Sequence, residues 1–271
     1  MRLYLAGSDN MGRHSVADLT HKYGVHKMFS AMHERLHIQS YPTLFPGSEL
    51  MIDSGAHSWN KTTITSVGAK PSKALPPVRQ WLTWYERFIT RFCKYPFVFV
   101  ELDVYGVLPP AMIDAMHGRV QALLADQPAS FLRVYHTILD NGTFDVLRQW
   151  IDAGETYIGL GVEAIPYLDA IFRITRDQIR VHGFALSRHN ILSRYPFYSV
   201  DSSTALATTR FGGYMRADFS FKSRKRCLRD RDVNIVRSEE ARIHLALEAA
   251  ARFQAHYTEL WERRGVTWPE T

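Results

Sequence analysis

Along the chain, short β-branched or aromatic runs alternate with longer stretches whose apolar residues recur every three or four positions. The short runs are expected as strands at Arg2 to Ala6, Leu50 to Asp53, Phe97 to Asp103, Phe131 to His136, Tyr157 to Gly161, Ile179 to Phe184 and Tyr198 to Asp201. An eighth is sought in FGGYMRADFSF, residues 211 to 221, where glycines and charges interrupt the pattern. Helices are expected over Val78 to Cys93, Ala111 to Ala125, Thr143 to Ala153, Ile165 to Thr175 and Glu239 to Arg263, the last long, amphipathic and terminal. Such alternation favours parallel βαβ units. In VRQWLTWYERFITRFC, Trp81, Trp84, Tyr85 and Phe88 fall at helical spacing, so this aromatic stripe is expected to face the core rather than to stack on bases. His57 to Pro77 has no period and is rich in Thr, Ser, Lys and Pro. It is expected as a loop that orders over substrate.

With 271 residues and 46% hydrophobic content, the chain is long enough for an α/β barrel in one domain. The expected fold is a single-domain (β/α)8 TIM-like barrel over residues 1–271, with a basic strip and terminal helix at 222–264 as a C-terminal helical extension. No apolar run approaches the roughly 20 residues of a membrane helix, so a soluble chain with no membrane partner is expected. MRLYLAGSDN lacks the apolar segment of a secretory leader. A cytoplasmic location follows as the expectation, the host's cytoplasm for a phage-encoded chain. Cys93 and Cys227 are too few for a disulfide framework or a thiolate zinc site. Neither a metal nor a cofactor is expected.

The net charge of +6 is concentrated in KSRKRCLRDR, residues 222 to 231. Lys222, Arg224, Lys225, Arg226, Arg229 and Arg231 face only one acid there, a footprint that fits phosphate-backbone contacts as well as a solvated helix face.

Active sites of barrels lie at the carboxyl ends of the strands. There the sequence places Asp53, Asp103, His136, His182 and Asp201. Singly, each could cap a helix; five at one mouth favour a shared site. Asp53 enters a turn through Ser54 and Gly55, and Asp201 through Ser202 and Ser203, small neighbours that let a ligand approach. Two carboxylates suit displacement at a sugar carbon, one attacking the anomeric centre and the other moving the proton. Gly159 and Gly161 in YIGLGVE offer backbone amides and room for a flat ring, or simply tight strand packing.

The ordered set IDSGAHSW, FVELD, YIGLGVE and FYSVDSS, over roughly residues 50 to 205, resembles the tRNA-guanine transglycosylase superfamily. It is most similar to the phage and bacterial branch that places 7-deazaguanines in DNA, the deoxypurine-in-DNA protein A family. The resemblance implies that Asp201 attacks C1′ of the nucleoside, expels guanine and holds the sugar covalently, with Asp53 as general acid/base. It implies that Asp103 reads the guanine-like edge, that YIGLGVE walls the base pocket, and that His136 stands where family members often carry another base-contacting side chain. Ser54, Gly55, Gly159, Gly161 and His182 complete the expected substrate-binding set. Configuration is retained, and the target nucleotide must be extruded from a duplex or already single-stranded.

Members that modify tRNA usually carry a late cysteine-rich zinc site, which two cysteines cannot supply. The expected partners are therefore DNA and a 7-deazaguanine such as preQ0, with tRNA second and an additional protein partner left open. Two other classes compete. A metal-dependent barrel hydrolase would use His136, His182, His189 and Asp201, but the first strand lacks a His-x-His pair. A non-catalytic nucleic-acid-binding protein would use the basic strip alone.

Overall fold

The structure, a computed structural model, describes residues 1–6, 20–31, 49–56, 77–105, 107–176, 178–204, 206, 213–215, 221–222 and 238–268. Eight strands form a closed barrel in sequence order: β1 (Arg2–Ala6), β2 (His26–Ser30), β3 (Leu50–Asp53), β4 (Phe97–Val100), β5 (Ser130–Tyr135), β6 (Tyr157–Leu160), β7 (Arg180–Gly183) and β8 (Ser199–Ser202). The pairings are parallel, and β8 returns to β1 with Asp201 opposite Tyr4. A TIM-like (β/α)8 barrel is thus the fold.

One expected strand assignment is corrected. The eighth barrel strand is HKMFS, residues 26–30, and not the 211–221 segment. That segment instead supplies β9 (Tyr214–Met215) and β10 (Phe221–Lys222), an antiparallel pair in a sheet of their own. HKMFS begins with His and Lys, which hid it from a search for apolar runs. The expected loop at His57 to Pro77 falls outside the described residues except for Pro77, as do Arg224, Lys225, Arg226, Arg229 and Arg231. No helix among the described residues is long and apolar enough to cross a membrane.

The chain's contacts form two compact units, one of Met1–Met28 with Tyr135–Thr271, the other of Phe29–Val134. In the second, helix α1 (Val78–Phe92) turns Trp81, Leu82, Tyr85, Phe88, Ile89 and Phe92 into the core, as expected for Trp81, Tyr85 and Phe88, whereas Trp84 is only half-buried, its ring stacked on Trp81. This face also holds strand ends in place. Trp81 Nε1 donates to the Ser54 carbonyl at 3.0 Å, and the Tyr85 hydroxyl donates to the Val100 carbonyl at 2.7 Å. Helix α2 (Pro110–Leu124) has Pro at its first position, where a missing N–H costs nothing.

In the first unit, β6 leads through a 3₁₀ turn, Val162–Tyr167, into α4 (Leu168–Thr175), while α3 (Asp145–Asp152) precedes β6 and α5 (His189–Leu192) precedes β8. Pro166 within this stretch explains why the expected helix from Ile165 begins as 3₁₀. Terminal helix α6 (Glu239–Glu262) is capped by Ser238, whose side chain accepts the Ala241 N–H. Ile243, Leu247, Ala250, Phe253 and Tyr257 join the core cluster of this unit. Gln254 accepts the Leu3 N–H at 2.8 Å, and Trp261 Nε1 donates to the Leu192 carbonyl at 2.9 Å. Each large apolar side chain buried this way stabilises by about 1.5–3 kcal/mol, so the helix is built into the unit.

Candidate active site

In the unit Phe29–Val134, β3 ends on Asp53 and continues through Ser54 and Gly55, whose φ of 83° suits glycine alone. Ser54 is fully buried, its hydroxyl donating to the Glu101 carbonyl at 2.9 Å. Ser54 therefore ties the end of β3 to the end of β4. Strand β4 stops at Val100, shorter than the expected Phe97 to Asp103, and the Asp103 N–H turns back to the Glu101 carbonyl at 3.0 Å. Asp53 and Asp103 are both half-buried, and the negative charge of each reaches the Tyr85 hydroxyl, which burial has already pushed well above its ordinary pKa. The two carboxylates singled out in this half of the sequence thus share one neighbourhood.

Sequence reasoning missed Glu101 between them. It is 1% exposed and accepts the Val134 N–H and the Tyr105 hydroxyl, both at 3.1 Å, on Oε2. Oε1 lies 3.6 Å from Arg133 Nε and 3.8 Å from His117 Nδ1. Arg133 also pairs with Asp114. Burial pushes the Glu101 carboxyl up to about 8 despite the pull of Arg133 and the Val134 hydrogen bond. The signal was available: an acid inside FVFVEL, on the same alternating face as Phe97, Phe99 and Asp103.

In the unit Met1–Met28 with Tyr135–Thr271, Asp201 lies on β8 with its side chain 13% exposed. Oδ1 accepts the Ala185 N–H at 2.8 Å and lies 3.6 Å from His182 Nε2. The His182 ring is fully buried on β7, with Nδ1 2.7 Å from Ser199 Oγ. Gly159 of β6 is the register partner of His182, a place where no side chain competes with the imidazole. Asp201 and His182 are therefore brought together.

His136 follows β5, and its Nδ1 lies 2.8 Å from Glu163 Oε1. Burial pushes the Glu163 carboxyl up, but the hydrogen bond and charge of His136 bring it below its usual range. Glu163 folds over Gly161 so closely that a Cβ there would collide with its carboxylate. His136, Gly161 and Glu163 thus form a second polar group in this unit. His189 stands apart, its Nδ1 2.5 Å from the Tyr257 hydroxyl. Among the described residues, no three His, Cys, Asp or Glu side chains are grouped to hold a metal ion.

The chemistry on offer is that of a carboxylate with one oxygen fixed by a backbone N–H and the other directed elsewhere, at a strand end with limited solvent access. Comparison with protein-family models, curated proteins and solved structures finds no match to this chain.

Proposed function

We propose that the chain is a base-exchange transglycosylase that replaces guanine in DNA with a 7-deazaguanine. The observation that carries this is the setting of Asp201: Oδ1 is held by the Ala185 N–H, which leaves Oδ2 as the attacking oxygen. Oδ2 attacks C1′ while the C1′–N9 bond breaks, and guanine departs with a proton supplied by Asp53. The incoming 7-deazaguanine gives its N9 proton to Asp53 and attacks C1′, and the bond to Asp201 breaks. Two inversions retain the configuration.

The roles of Asp53 and Asp201 rest on the IDSG and VDSS motifs and their resemblance to the transglycosylases, together with their positions at the carboxyl ends of β3 and β8. Asp103, following β4, is assigned the guanine-like edge of the base. The basic run from Lys222 to Arg231 is assigned the phosphate backbone. The hydrolase alternative draws on His189, whose ring is engaged with Tyr257.

The test is incubation with guanine-containing duplex DNA, single-stranded DNA and tRNA, each with preQ0, followed by digestion and mass spectrometry of the nucleosides. Modified nucleoside in DNA is the expected result. Product in tRNA alone would reassign the substrate, and no product in any arm would overturn the proposal.

A further inference from the structure

In the unit containing β6, β7 and β8, polar side chains form a row inside the strands. Alternation puts Arg180 and His182 on one face of β7, and Ser199 and Asp201 on one face of β8. The Tyr157 hydroxyl reaches across from β6 to lie 2.5 Å from Ser199 Oγ. Ser199 Oγ lies 2.7 Å from His182 Nδ1, and His182 Nε2 lies 3.6 Å from Asp201 Oδ1. The Tyr4 ring of β1 packs edge-on against the His182 ring, with centroids 5.9 Å apart.

Ser, His and Asp together invite comparison with a nucleophilic triad, but burial argues against it. Ser199 and His182 are 0% exposed, so no substrate reaches the serine, whereas Asp201 retains 9%. Asp201 is the outlet of the row. Each hydroxyl of the row can donate its one hydrogen in either direction; when Tyr157 donates to Ser199 and Ser199 to His182 Nδ1, the imidazole hydrogen lies on Nε2. The opposite polarity would set two lone pairs, on Nε2 and Oδ1, against each other in a buried place where that repulsion is costly. Nε2 is buried without a hydrogen-bond partner, and Asp201 Oδ1 at 3.6 Å is the acid that faces it.

We propose that His182 is a positioning residue for Asp201, its Nε2–H held toward Oδ1 by the hydroxyls of Ser199 and Tyr157. The Ala185 N–H holds Oδ1 at 2.8 Å, and the imidazole faces the same oxygen from 3.6 Å, near enough to favour its orientation and leave Oδ2 for attack. Both donors also favour the carboxylate charge that returns when the sugar leaves Asp201, so the second displacement gains as well as the first. Other groups that face this row include the Phe184 ring, 4.4 Å from the imidazole centroid, the Tyr198 ring, edge-on to Tyr157, and Arg180, whose guanidinium lies over Tyr157 and Tyr198. As a catalytic device, the row rests on the proposal that Asp201 is the nucleophile.

Nitrogen-15 NMR of histidine-labelled protein tests the row without any substrate. The expected His182 signals are those of the neutral Nε2–H tautomer, with Ser199→Ala shifting population toward Nδ1–H. A wild-type ring carrying its hydrogen on Nδ1 would overturn the proposal whether or not the chain exchanges bases. In the exchange assay, His182→Phe is expected to lower kcat by about 10- to 100-fold, the rate equivalent of one hydrogen bond to a charged group, with KM unchanged. His182→Gln, which restores an N–H near the Nε2 position, should recover most of that loss. Equal kcat in wild type and both variants would remove the catalytic role. A wild type that keeps the Nε2–H tautomer but exchanges no base would support the pinning of Asp201 and remove the transglycosylase proposal alone.

Discussion

Oδ1 of Asp201 accepts the N–H of Ala185 at 2.8 Å, and Ala185 reaches that position with φ at 55°, in the left-handed region. Left-handed backbone costs a residue with a Cβ about 1–2 kcal/mol, a cost tolerated here while the N–H is aimed at the carboxylate.

Ala185→Gly relieves that strain and increases the entropy of the unfolded chain, two effects of similar size and opposite sign. Its stability should stay within about 1 kcal/mol of wild type. Ala185→Val places a β-branched side chain in the same region and should lose more than about 1 kcal/mol. Urea denaturation measures both, and a valine variant as stable as wild type would contradict the strained geometry.

Glu101 makes stability depend on pH. Burial lifts its carboxyl from 4.5 to about 8 in the folded chain, so between those values the folded state holds a proton that the unfolded state has released. Stability is then greatest below the unfolded value and falls as pH rises through the window, by on the order of a few kcal/mol. Glu101→Gln stays neutral throughout and should flatten this part of the profile. Parallel profiles for the two proteins from pH 5 to 9 would show that Glu101 stays ionised.

Two glycines should respond differently to alanine. At Gly183 a Cβ would lie 2.9 Å from Phe197 Cε1 and 3.0 Å from Leu186 Cβ, in the core. Overpacking there should cost about 1–3 kcal/mol. At Gly161 the colliding group is the end of the Glu163 side chain, 43% exposed and able to swing away. Gly161→Ala should therefore change the thermal midpoint much less than Gly183→Ala, and the reverse order would contradict the packing described.

If the basic run contacts phosphates, neutralising Arg224, Lys225 and Arg226 should weaken DNA binding and flatten its dependence on log salt, by roughly one unit of slope per lost phosphate contact. An unchanged slope would make the run ordinary surface.

Seven barrel strands were legible because each carries an apolar run, and the α1 core stripe was legible because Trp81, Tyr85 and Phe88 repeat at helical spacing. The strand β2 was not, since Lys27 is buried on it and gives no apolar signal. Asp53, Asp103 and Asp201 stood out as acids at the ends of apolar runs. The partners that set their surroundings did not: Tyr85 reaches Val100 from a helix, and Ala185 reaches Asp201 from another connection. Such contacts depend on register between strands, which alternation along one strand does not reveal. Following every second residue of β7 and β8 would have linked His182, Ser199 and Asp201, and the same step along β4 would have found Glu101.

The most direct measurement is of the covalent intermediate itself. Wild-type protein is incubated with a guanine-containing DNA oligonucleotide and no incoming base, then read by intact-protein and peptide mass spectrometry. The transglycosylase proposal expects a DNA adduct on the peptide bearing Asp201, released by preQ0 and absent from Asp201→Ala. An adduct that persists in Asp201→Ala, or preQ0 entering DNA through that variant at the wild-type rate, would contradict it.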